Sequence, residues 1–289
     1  MKNKISFGKK EYSKINSLLN KKFSERSTLI AVHRGTASGT IVENTILSQV
    51  ASLQSGGDMI EVDVVRSTDG KYYAFHDGNE YRLLKKRKNI REMSSKEIES
   101  LIYYCPIGEA IEYKVEKLET ILEYFKGKDV LINIDRAWDY FEDLLKFFDS
   151  YNMEKQLVFK SVPKKEFLDI FTDHSVKYMY MPIVSKKEEV DAAVSQKNLN
   201  LVGFEVLAES EKDIFFDKKY LSGLKKKGYF CWINAIRLND VRKLYAGYDD
   251  NVSIIEGGDK GWGVLIERGA DIIQTDWPFL LEKYLNKNN

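Results

Sequence analysis

An α/β fold of the (β/α)8 TIM barrel type, with a small insertion after the second strand, is the fold class that this sequence predicts. From residue 29 onwards, short apolar runs alternate with amphipathic helical stretches, as in a parallel sheet whose strands are joined by helices. Eight principal strands can be counted, and eight such units indicate closure into a barrel. The 289 residues exceed the ~250 of a typical barrel. We therefore expect a single domain over residues 1–289, with an N-terminal extension and an insertion.

The extension covers residues 1–28 and contains four apolar side chains at helical spacing. These are Ile15, Leu18, Leu19 and Phe23, and they predict a short amphipathic helix. Such a helix could close the bottom of the barrel or lie on a lipid surface. The apolar stripe is small for a membrane anchor, which favours the first interpretation.

The strands are predicted from short apolar runs, and the helices from apolar residues three or four apart. The principal strands are expected at residues 29–32, 59–65, 130–134, 157–159, 176–181, 201–204, 229–233 and 271–274. A further run at 72–75 is interpreted as an appendage of the second strand. Helices are expected at 43–53, 118–125 and 138–148, among others.

The insertion is predicted at about residues 77–117, where the sequence becomes polar and irregular. One helix is expected within it, at 94–103, because Ser-Ser-Lys-Glu at its start is a capping pattern. The stretch 85–91 is strongly basic. It is either a solvated loop or a rim that attracts an anionic substrate.

Polar side chains occur where the predicted strands end. His33 and Arg34 follow the first strand, and His76 follows the run at 72–75. The ends of later strands carry Asn133, Asp135, Lys160, Glu205, Trp232 and Asn234. Barrels of this class have their active sites at the C-terminal ends of the strands, which we call the mouth. The sequence therefore predicts an active site there.

Two acidic residues lie inside the second predicted strand. Glu61 and Asp63 are two residues apart, so their side chains point the same way. Their neighbours Ile60, Val62 and Val64 are apolar, which indicates that the strand is buried on both faces. Two buried acids need a cation or protonation, and carboxylate oxygens suit Mg²⁺ or Ca²⁺. A divalent metal site is therefore predicted.

The chain has only three histidines. A histidine at a strand end is often a structural hydrogen-bonding group, but His33 and His76 lie in matching strand-end positions. That match favours a catalytic role for both. His174 lies at a predicted helix end, away from any motif.

Charge and targeting signals exclude several classes of function. The 45 Lys and Arg residues nearly balance the 44 Asp and Glu residues, and this argues against a general nucleic-acid binder. Cys105 and Cys231 lack metal-site spacing, which is the pattern of a reduced, intracellular protein. The first residues lack the apolar core of a signal peptide, and no run approaches the ~20 apolar residues of a membrane span. A cytoplasmic protein without stable membrane association is the expectation.

Five short pieces, in order, resemble the glycerophosphodiester phosphodiesterase family. They are His-Arg-Gly at 33–35, Glu-Asn-Thr at 43–45, Ile-Glu-Val-Asp-Val at 60–64, Ser-Thr-Asp-Gly at 67–70 and His-Asp at 76–77. Residues 261–281 resemble that family's closing helix, last strand and T-D-x-P turn. The resemblance extends from about residue 29 to residue 285. It implies metal-dependent hydrolysis of glycerophosphodiesters to glycerol phosphate and an alcohol, under a small insertion at the mouth.

The resemblance also implies roles for individual residues. His33 and His76 would act as acid and base, and Arg34 would neutralise and bind the phosphoryl group. Glu61 and Asp63 would bind the metal ion, Mg²⁺ or Ca²⁺. A glycerophosphodiester supplies its own hydroxyl as nucleophile, so no serine or cysteine nucleophile is required.

The third strand departs from the family pattern. Most members carry E-x-K there, whereas this chain has Asn133, Asp135 and then Arg136. The segment resembles a branch with an N-x-D strand end, so we expect Asp135 as the third metal ligand. The displaced positive charge would come from Lys160 or Arg136.

Three further residues are expected around the substrate. Lys160 either contacts it or extends to solvent, and Glu205 is a metal ligand, a substrate contact or a salt-bridge partner. Trp232 is expected to be partly core, with one edge exposed to the pocket.

The expected substrate is a small, water-soluble glycerophosphodiester. One alternative is a related barrel phospholipase acting on lysolipids or phosphoinositides, which would require a large apolar patch at the rim. The only candidates for such a patch within the insertion are Ile107, Ile111 and Tyr113. Another alternative is a non-catalytic relative that binds phosphorylated polyols.

Overall fold

A computed structural model describes residues 6–105, 108–239 and 241–288 of the chain. Its strands are β1 (Leu29–Val32), β2 (Met59–Arg66), β3 (Tyr72–Ala74), β4 (Tyr103–Tyr104), β5 (Ala110–Ile111), β6 (Leu131–Asp135), β7 (Leu157–Ser161), β8 (Met179–Val184), β9 (Gly203–Val206), β10 (Phe230–Asn234) and β11 (Ile272–Thr275). Helices connect most of them.

The first six helices are α1 (Ser17–Glu25), α2 (Ile46–Gln54), α3 (Glu80–Leu84), α4 (Ser95–Glu99), α5 (Leu118–Phe125) and α6 (Phe141–Asp149). The others are α7 (Lys165–Asp173), α8 (Lys187–Val194), α9 (Lys218–Lys226), α10 (Asp250–Ile255), α11 (Trp262–Arg268) and α12 (Pro278–Asn288). Short 3₁₀ turns lie at Lys10–Tyr12, Ile90–Glu92, Trp138–Tyr140, Ile214–Phe216 and Gly258–Lys260.

Eight parallel strands form a closed barrel, which confirms the predicted TIM barrel. The order is β1-β11-β10-β9-β8-β7-β6-β2, and pairing of β1 with β2 closes the sheet. Strand β3 pairs antiparallel with the end of β2, with Val64 opposite Ala74. The interpretation of this run as an appendage of the second strand is therefore confirmed.

Several predicted boundaries were wrong. The strand expected at 176–181 lies at Met179–Val184, and that expected at 201–204 lies at Gly203–Val206. In both cases the apolar run begins in the loop before the strand. Before Gly203–Val206, for example, Leu201 and Val202 are already buried in the loop. The helix expected at 43–53 begins only at Ile46, because Thr45 caps it by accepting a hydrogen bond from Ser48 N.

The helix in the insertion is shorter than predicted. Its capping box is present, since Ser94 and Glu97 exchange side-chain and backbone hydrogen bonds. The helix ends at Glu99, however, and Tyr103 lies opposite Ile111 in the short antiparallel pair β4–β5. Leu101 and Tyr103 are nevertheless buried in the small core of this segment. In the sequence, these apolar residues look like a continuation of the apolar face of the helix.

The N-terminal helix packs against the apolar interior at the bottom of the barrel. Leu19 is fully buried there, with Phe7 beside it and Ile15, Leu18 and Phe23 packed around them. The surrounding side chains come from strand starts and include Leu29, Met59, Leu131, Met179, Phe230 and Ile272. The helix therefore closes the bottom of the barrel.

The segment 77–117 has a small apolar core of its own. Leu83, Leu84, Ile90, Ile98 and Tyr103 pack there against side chains of β2 and β3. Its basic stretch is partly neutralised locally, because Lys88 pairs with Glu97 and Arg91 pairs with Asp139, at 2.8 and 2.6 Å.

Candidate active site

The turn that follows β1 brings Arg34 onto the carboxylates of β2. Arg34 and Gly35 both have left-handed backbone conformations, with φ of 55° and 80°. A Cβ on Gly35 would lie 2.5 Å from Ser48 Oγ, so glycine is required there. This turn lets Arg34 N donate a 2.6 Å hydrogen bond to Glu61 Oε2. Non-glycine residues are uncommon in this conformation and concentrate at functional sites.

Three carboxylates converge at the mouth. In the β2–β6 pair, Glu61 lies opposite Asn133 and Asp63 opposite Asp135, so all four side chains share the inner face. One oxygen each from Glu61, Asp63 and Asp135 lies within 4.8 Å of the others. Burial raises the pKa of Glu61 well above its ordinary value, and Asp63 and Asp135 raise it further.

This donor set fits a divalent cation. Two buried carboxylates and a third that is partly buried are unfavourable together without positive charge, and hard cations such as Mg²⁺ and Ca²⁺ prefer oxygen ligands. Asn133 Oδ1 is also buried and has no hydrogen-bond partner among the described residues. Asp63 is oriented by its neighbour: Asn44 Nδ2 donates to Asp63 Oδ2 at 2.8 Å, and Asp63 N donates to Asn44 Oδ1 at 3.0 Å.

The guanidinium of Arg34 faces the same cluster. Its Nε lies 3.4 Å from Asp63 Oδ2, and its Nη1 donates to Glu43 Oε1 at 3.2 Å. Burial lowers the pKa of Arg34, but Asp63 and Glu43 outweigh that effect, and the pKa is raised. The second oxygen of Glu43 accepts a 2.7 Å hydrogen bond from Arg82, on the helix α3 of the insertion. Arg82 was not identified from the sequence, where it looked like one more charge in a polar segment.

Lys160 supplies positive charge on the opposite side of the carboxylates. Its Nζ lies 2.8 Å from Asp135 Oδ2 and 3.2 Å from Glu205 Oε2. Burial lowers the pKa of Lys160, but Asp135 and Glu205 raise it by more, so the amine is charged. The side chain is only 2% exposed, so it does not extend to solvent. Arg136 instead pairs with Asp77 at 2.8 Å, so the positive charge next to Asp135 is that of Lys160 on the neighbouring strand β7.

Glu205 and Trp232 lie behind Lys160. Glu205 accepts a 2.7 Å hydrogen bond from Asn234 Nδ2 and is a salt-bridge partner of Lys160. Trp232 is 0% exposed, so the prediction of an edge exposed to the pocket was wrong. Its ring points into the barrel interior, where its indole N–H donates to Asn234 Oδ1 at 2.8 Å. Trp232 therefore supports Asn234 and Lys160 from below.

Replacing Lys160 by Met should destabilise the metal-free protein strongly. The change leaves buried carboxylates without their counter-charge, and breaking a buried pair this way costs about 3–5 kcal/mol in the free energy of unfolding. Urea denaturation measures the loss. The matched control is Lys165→Met, because the Lys165–Asp169 pair is exposed and such pairs contribute ~0–1 kcal/mol. Equal losses in the two variants would contradict the structural role of Lys160.

Each of the two predicted catalytic histidines forms a hydrogen bond through its Nδ1 atom. His33 Nδ1 lies 2.9 Å from Asp276 Oδ1, and His76 Nδ1 lies 2.7 Å from the carbonyl oxygen of Asp77. Because these partners accept hydrogen bonds, Nδ1 is the donor in each pair, and Nε2 is the atom that can exchange a proton with a substrate. His174 instead contacts Asp149, through Nε2 at 3.0 Å.

The partner of His33 was missed in the sequence. Asp276 follows the last strand, and its backbone N–H donates to Asp250 Oδ2 at 2.9 Å. Asp250 also accepts hydrogen bonds from Trp262 Nε1 and Thr275 Oγ1. Burial raises the pKa of Asp250 to about 7, although these hydrogen bonds oppose the shift. The aspartate of the T-D-x-P turn was the available signal for Asp276.

A cleft of about 710 Å³ adjoins His33 and Arg34. Its polar lining residues also include Ser55, Glu43, Arg82 and Asp276. Its apolar lining residues are Ala37, Trp277, Pro278, Phe279 and Leu280. Large apolar side chains thus occur beside His33, at Trp277 and in the first turn of α12.

The two candidate residues of the insertion that the structure describes do not form such a surface. Ile111 and Tyr113 pack against the small core of the insertion. Ile107 lies outside the described residues. Among the described residues, none of the helices has the length and apolarity needed to cross a membrane.

Comparison with known proteins identifies the family. The model of the glycerophosphoryl diester phosphodiesterase family matches residues 33–232, and that of a domain of unknown function matches residues 180–285. A glycerophosphodiester phosphodiesterase of Caldanaerobacter subterraneus is 29% identical over 143 residues, which span 46% of this chain and 58% of that protein. The uncharacterized protein YqiK of Bacillus subtilis is 29% identical over 260 residues, 87% of this chain and 96% of that one.

Solved structures agree on the fold. A glycerophosphoryl diester phosphodiesterase from Parabacteroides distasonis superposes with a TM-score of 0.77 at 17% identity, over 99% of this chain and 94% of that one. A phosphodiesterase of Oleispira antarctica, solved in complex with the product sn-glycerol-3-phosphate, has a TM-score of 0.63 at 19% identity, over 91% and 98% of the two chains. Since the family model matches more than half of its length, the chain belongs to the glycerophosphoryl diester phosphodiesterase family, a family of phosphodiesterase enzymes.

Proposed function

We propose that this protein hydrolyses glycerophosphodiesters to glycerol phosphate and an alcohol, at the mouth of a single barrel domain in which residues 77–117 form an insertion. The observation that carries the proposal is the hydrogen bond that joins the turn after β1 to the carboxylates of β2. Arg34 N donates to Glu61 Oε2 at 2.6 Å, so the strand end that bears His33 is held directly on the carboxylate cluster. This contact supports a site in which His33 acts beside a metal ion held by the carboxylates.

Glu61, Asp63 and Asp135 would hold the metal ion, Mg²⁺ or Ca²⁺. Asp135 is preferred over Glu205 as third ligand, because an oxygen of Asp135 belongs to the cluster within 4.8 Å and Glu205 is not among the residues grouped there. When bound, a divalent ion would neutralise charge on the phosphoryl oxygens. Arg34 contributes positive charge from the same side, where its guanidinium already faces Asp63.

The two histidines provide the proton transfers. The hydroxyl next to the ester oxygen attacks phosphorus, and one imidazole Nε2 accepts its proton while the other donates a proton to the departing alcohol. Water then opens the cyclic phosphate with the two roles reversed. Asp276 holds the His33 ring and stabilises its positively charged form, and the Asp77 carbonyl holds the His76 ring.

The relatives support the reaction class. The Caldanaerobacter protein is named a glycerophosphodiester phosphodiesterase, and the Oleispira structure contains sn-glycerol-3-phosphate as product. The same phosphate ester is the product expected of this chain. Lys160, Glu205 and Trp232 serve in this proposal as buried supports of the site, and the substrate itself contacts Arg34.

A substrate without the adjacent hydroxyl should not be cleaved. We expect ordinary turnover of glycerophosphoethanolamine, whereas its analogue with 1,3-propanediol in place of glycerol should show essentially none, because it lacks the hydroxyl adjacent to the ester oxygen that forms the five-membered cyclic phosphate. Phosphorus NMR follows the diester, the cyclic phosphate and the monoester together. Comparable hydrolysis of the two diesters would overturn the proposed mechanism, and a failure to cleave either would overturn the proposed function.

A further inference from the structure

We propose that the cleft beside His33 binds an apolar group carried by the phosphodiester substrate, an alkyl or acyl chain, against Trp277, Pro278 and Phe279. The inference rests on the proposed function in one respect, because His33, which lines the cleft, is a catalytic group only under that proposal. It differs from the expectation of a small, water-soluble glycerophosphodiester, which rested on the near-zero net charge, on the targeting signals and on the polar insertion.

Two aromatic side chains are exposed at this position. Trp277 is 50% exposed and Phe279 is 64% exposed, and both line the cleft. Large apolar side chains that are exposed together around a concave surface commonly mark a ligand site. Aromatic rings offer a large contact area at little cost in conformational entropy.

The backbone that carries these rings is held in place. Trp277 N donates to Thr275 Oγ1 at 2.9 Å, and Pro278 begins helix α12. The preceding residue, Asp276, is anchored by Asp250. A surface held in this way is largely preformed, which reduces the entropy lost when a ligand binds.

The exposed rings of Trp277 and Phe279 line the same cleft as His33, the proposed catalytic histidine. Asp276, which pairs with His33, is the immediate neighbour of Trp277 in the chain. Arg34 and Arg82 also line this cleft. A molecule with its phosphate near Arg34 and His33 would therefore extend its remaining part along Trp277 and Phe279.

The size of the cleft also favours a larger group. Its volume of about 710 Å³ lies well within the ~300–1,000 Å³ of sites that hold drug-sized ligands. A second cleft, of about 410 Å³, shares Ala37 and Ser38 with it and is lined further by Ile41, Val42, Leu83 and Tyr104. The glycerol and phosphate parts are polar, so a chain or ring attached to them is the part that matches these walls.

The test uses glycerophosphodiesters whose alcohol is ethanol, butanol or octanol, each kept below its micelle concentration. We expect kcat/KM to rise with chain length, by up to about fourfold for each methylene that becomes buried. In Phe279→Ala the octyl-to-ethyl ratio of kcat/KM should fall at least tenfold, and Phe279→Trp should restore it. Ile255→Ala is the matched control, because Ile255 is 80% exposed and lies outside both clefts; its ratio should equal that of the original protein.

A second substrate pair shows which side of the phosphate carries the apolar group. Lysophosphatidylethanolamine is compared with glycerophosphoethanolamine, since its acyl chain is on the glycerol. A gain sensitive to Phe279→Ala in either series supports the cleft as an apolar subsite. Equal kcat/KM for short and long members of both series overturns this inference and leaves the proposed function intact.

A binding measurement keeps the inference testable if no diester is cleaved. By calorimetry, octyl phosphate should bind at least tenfold more tightly than ethyl phosphate, and Phe279→Ala should abolish the difference. Sedimentation with phosphatidylcholine–phosphatidylglycerol vesicles tests the competing role, contact of the two rings with a membrane. Vesicle binding that is lost in Phe279→Ala, with unchanged chain-length ratios and unchanged octyl phosphate affinity, would overturn the subsite.

Discussion

Removing divalent metal ions is expected to abolish glycerophosphodiester hydrolysis by this protein, and adding Mg²⁺ or Ca²⁺ is expected to restore it. The reason is electrostatic, because Glu61, Asp63 and Asp135 bring oxygen atoms within 4.8 Å of one another in a largely buried position. Without a cation, part of this negative charge must be neutralised by protons, and the raised pKa of Glu61 expresses that cost. Turnover is measured before and after exhaustive chelation, with elemental analysis of the same samples. Full activity of a demonstrably metal-free sample would contradict the assignment of these ligands.

The variant Glu61→Gln examines the same site without a chelator. It removes one negative ligand and should weaken metal affinity by more than the 10–100-fold that is typical for residues that only orient a ligand. Its kcat should fall in parallel. Glu123→Gln, at an exposed position on α5, is the control and should bind metal normally. Calorimetric titration with Mg²⁺ measures the affinity independently of activity.

Metal binding to this site should also weaken as the pH falls. The pKa of Glu61 is raised, so this carboxyl takes up a proton at a higher pH than an ordinary glutamate does. Metal and proton compete for the same oxygen atoms, and apparent metal affinity must therefore decrease on the acidic side of that pKa. The same titration, repeated at decreasing pH, measures this decrease.

A large loss of turnover is also expected when His33 or His76 is replaced by Ala. General acid/base groups contribute about 10²–10⁴-fold each, so His33→Ala and His76→Ala should each lose at least a hundredfold in kcat. Both side chains lie at the ends of strands and are partly exposed, so the variants should remain folded, which circular dichroism and thermal unfolding verify. Near-normal turnover in one of them would remove that residue from the mechanism.

The third histidine provides the control for this experiment. His174 is the C-terminal cap residue of α7 and contacts Asp149. His174 lies beyond the C-terminal end of α7 and its partner Asp149 ends α6, so neither is at the C-terminal end of a strand, and His174→Ala should leave turnover unchanged. A hundredfold loss in this variant as well would mean that histidine removal acts through stability and not through proton transfer.

The end of β6 illustrates how a charge on one strand of a barrel is balanced from the next. Asp135 ends β6 and is followed by Arg136, whose guanidinium pairs with Asp77. Lys160 on the adjacent strand β7 brings its ammonium within 2.8 Å of Asp135. Neighbouring strands of a barrel point side chains into the same layer, so a charge on one strand can be balanced by the next.

The sequence by itself determined the barrel and the core of the candidate site. Alternation of apolar runs and helices predicted the eight strands, because burial on both faces of a parallel sheet leaves a continuous apolar signal. The two-residue spacing of Glu61 and Asp63 placed both on the inner face, since side-chain direction in a strand repeats every two residues. The same parity put Asp135 on the inner face of β6, and the β2–β6 register of the structure then places it opposite Asp63.

Only the tertiary structure decided which distant residues meet. Asp276 contacts His33 although 243 positions separate them, because pairing of β1 with β11 closes the barrel at that point. Trp232 looked like a residue at the edge of the pocket, yet its ring lies in the filled interior of the barrel. In the sequence, Phe279 was interpreted only as part of the segment that resembles the family's closing helix, last strand and turn. In the structure its side chain is exposed and lines the cleft beside His33. Local periodicity specifies the direction of each side chain, whereas its neighbours depend on closure of the sheet and on loops from opposite ends of the chain.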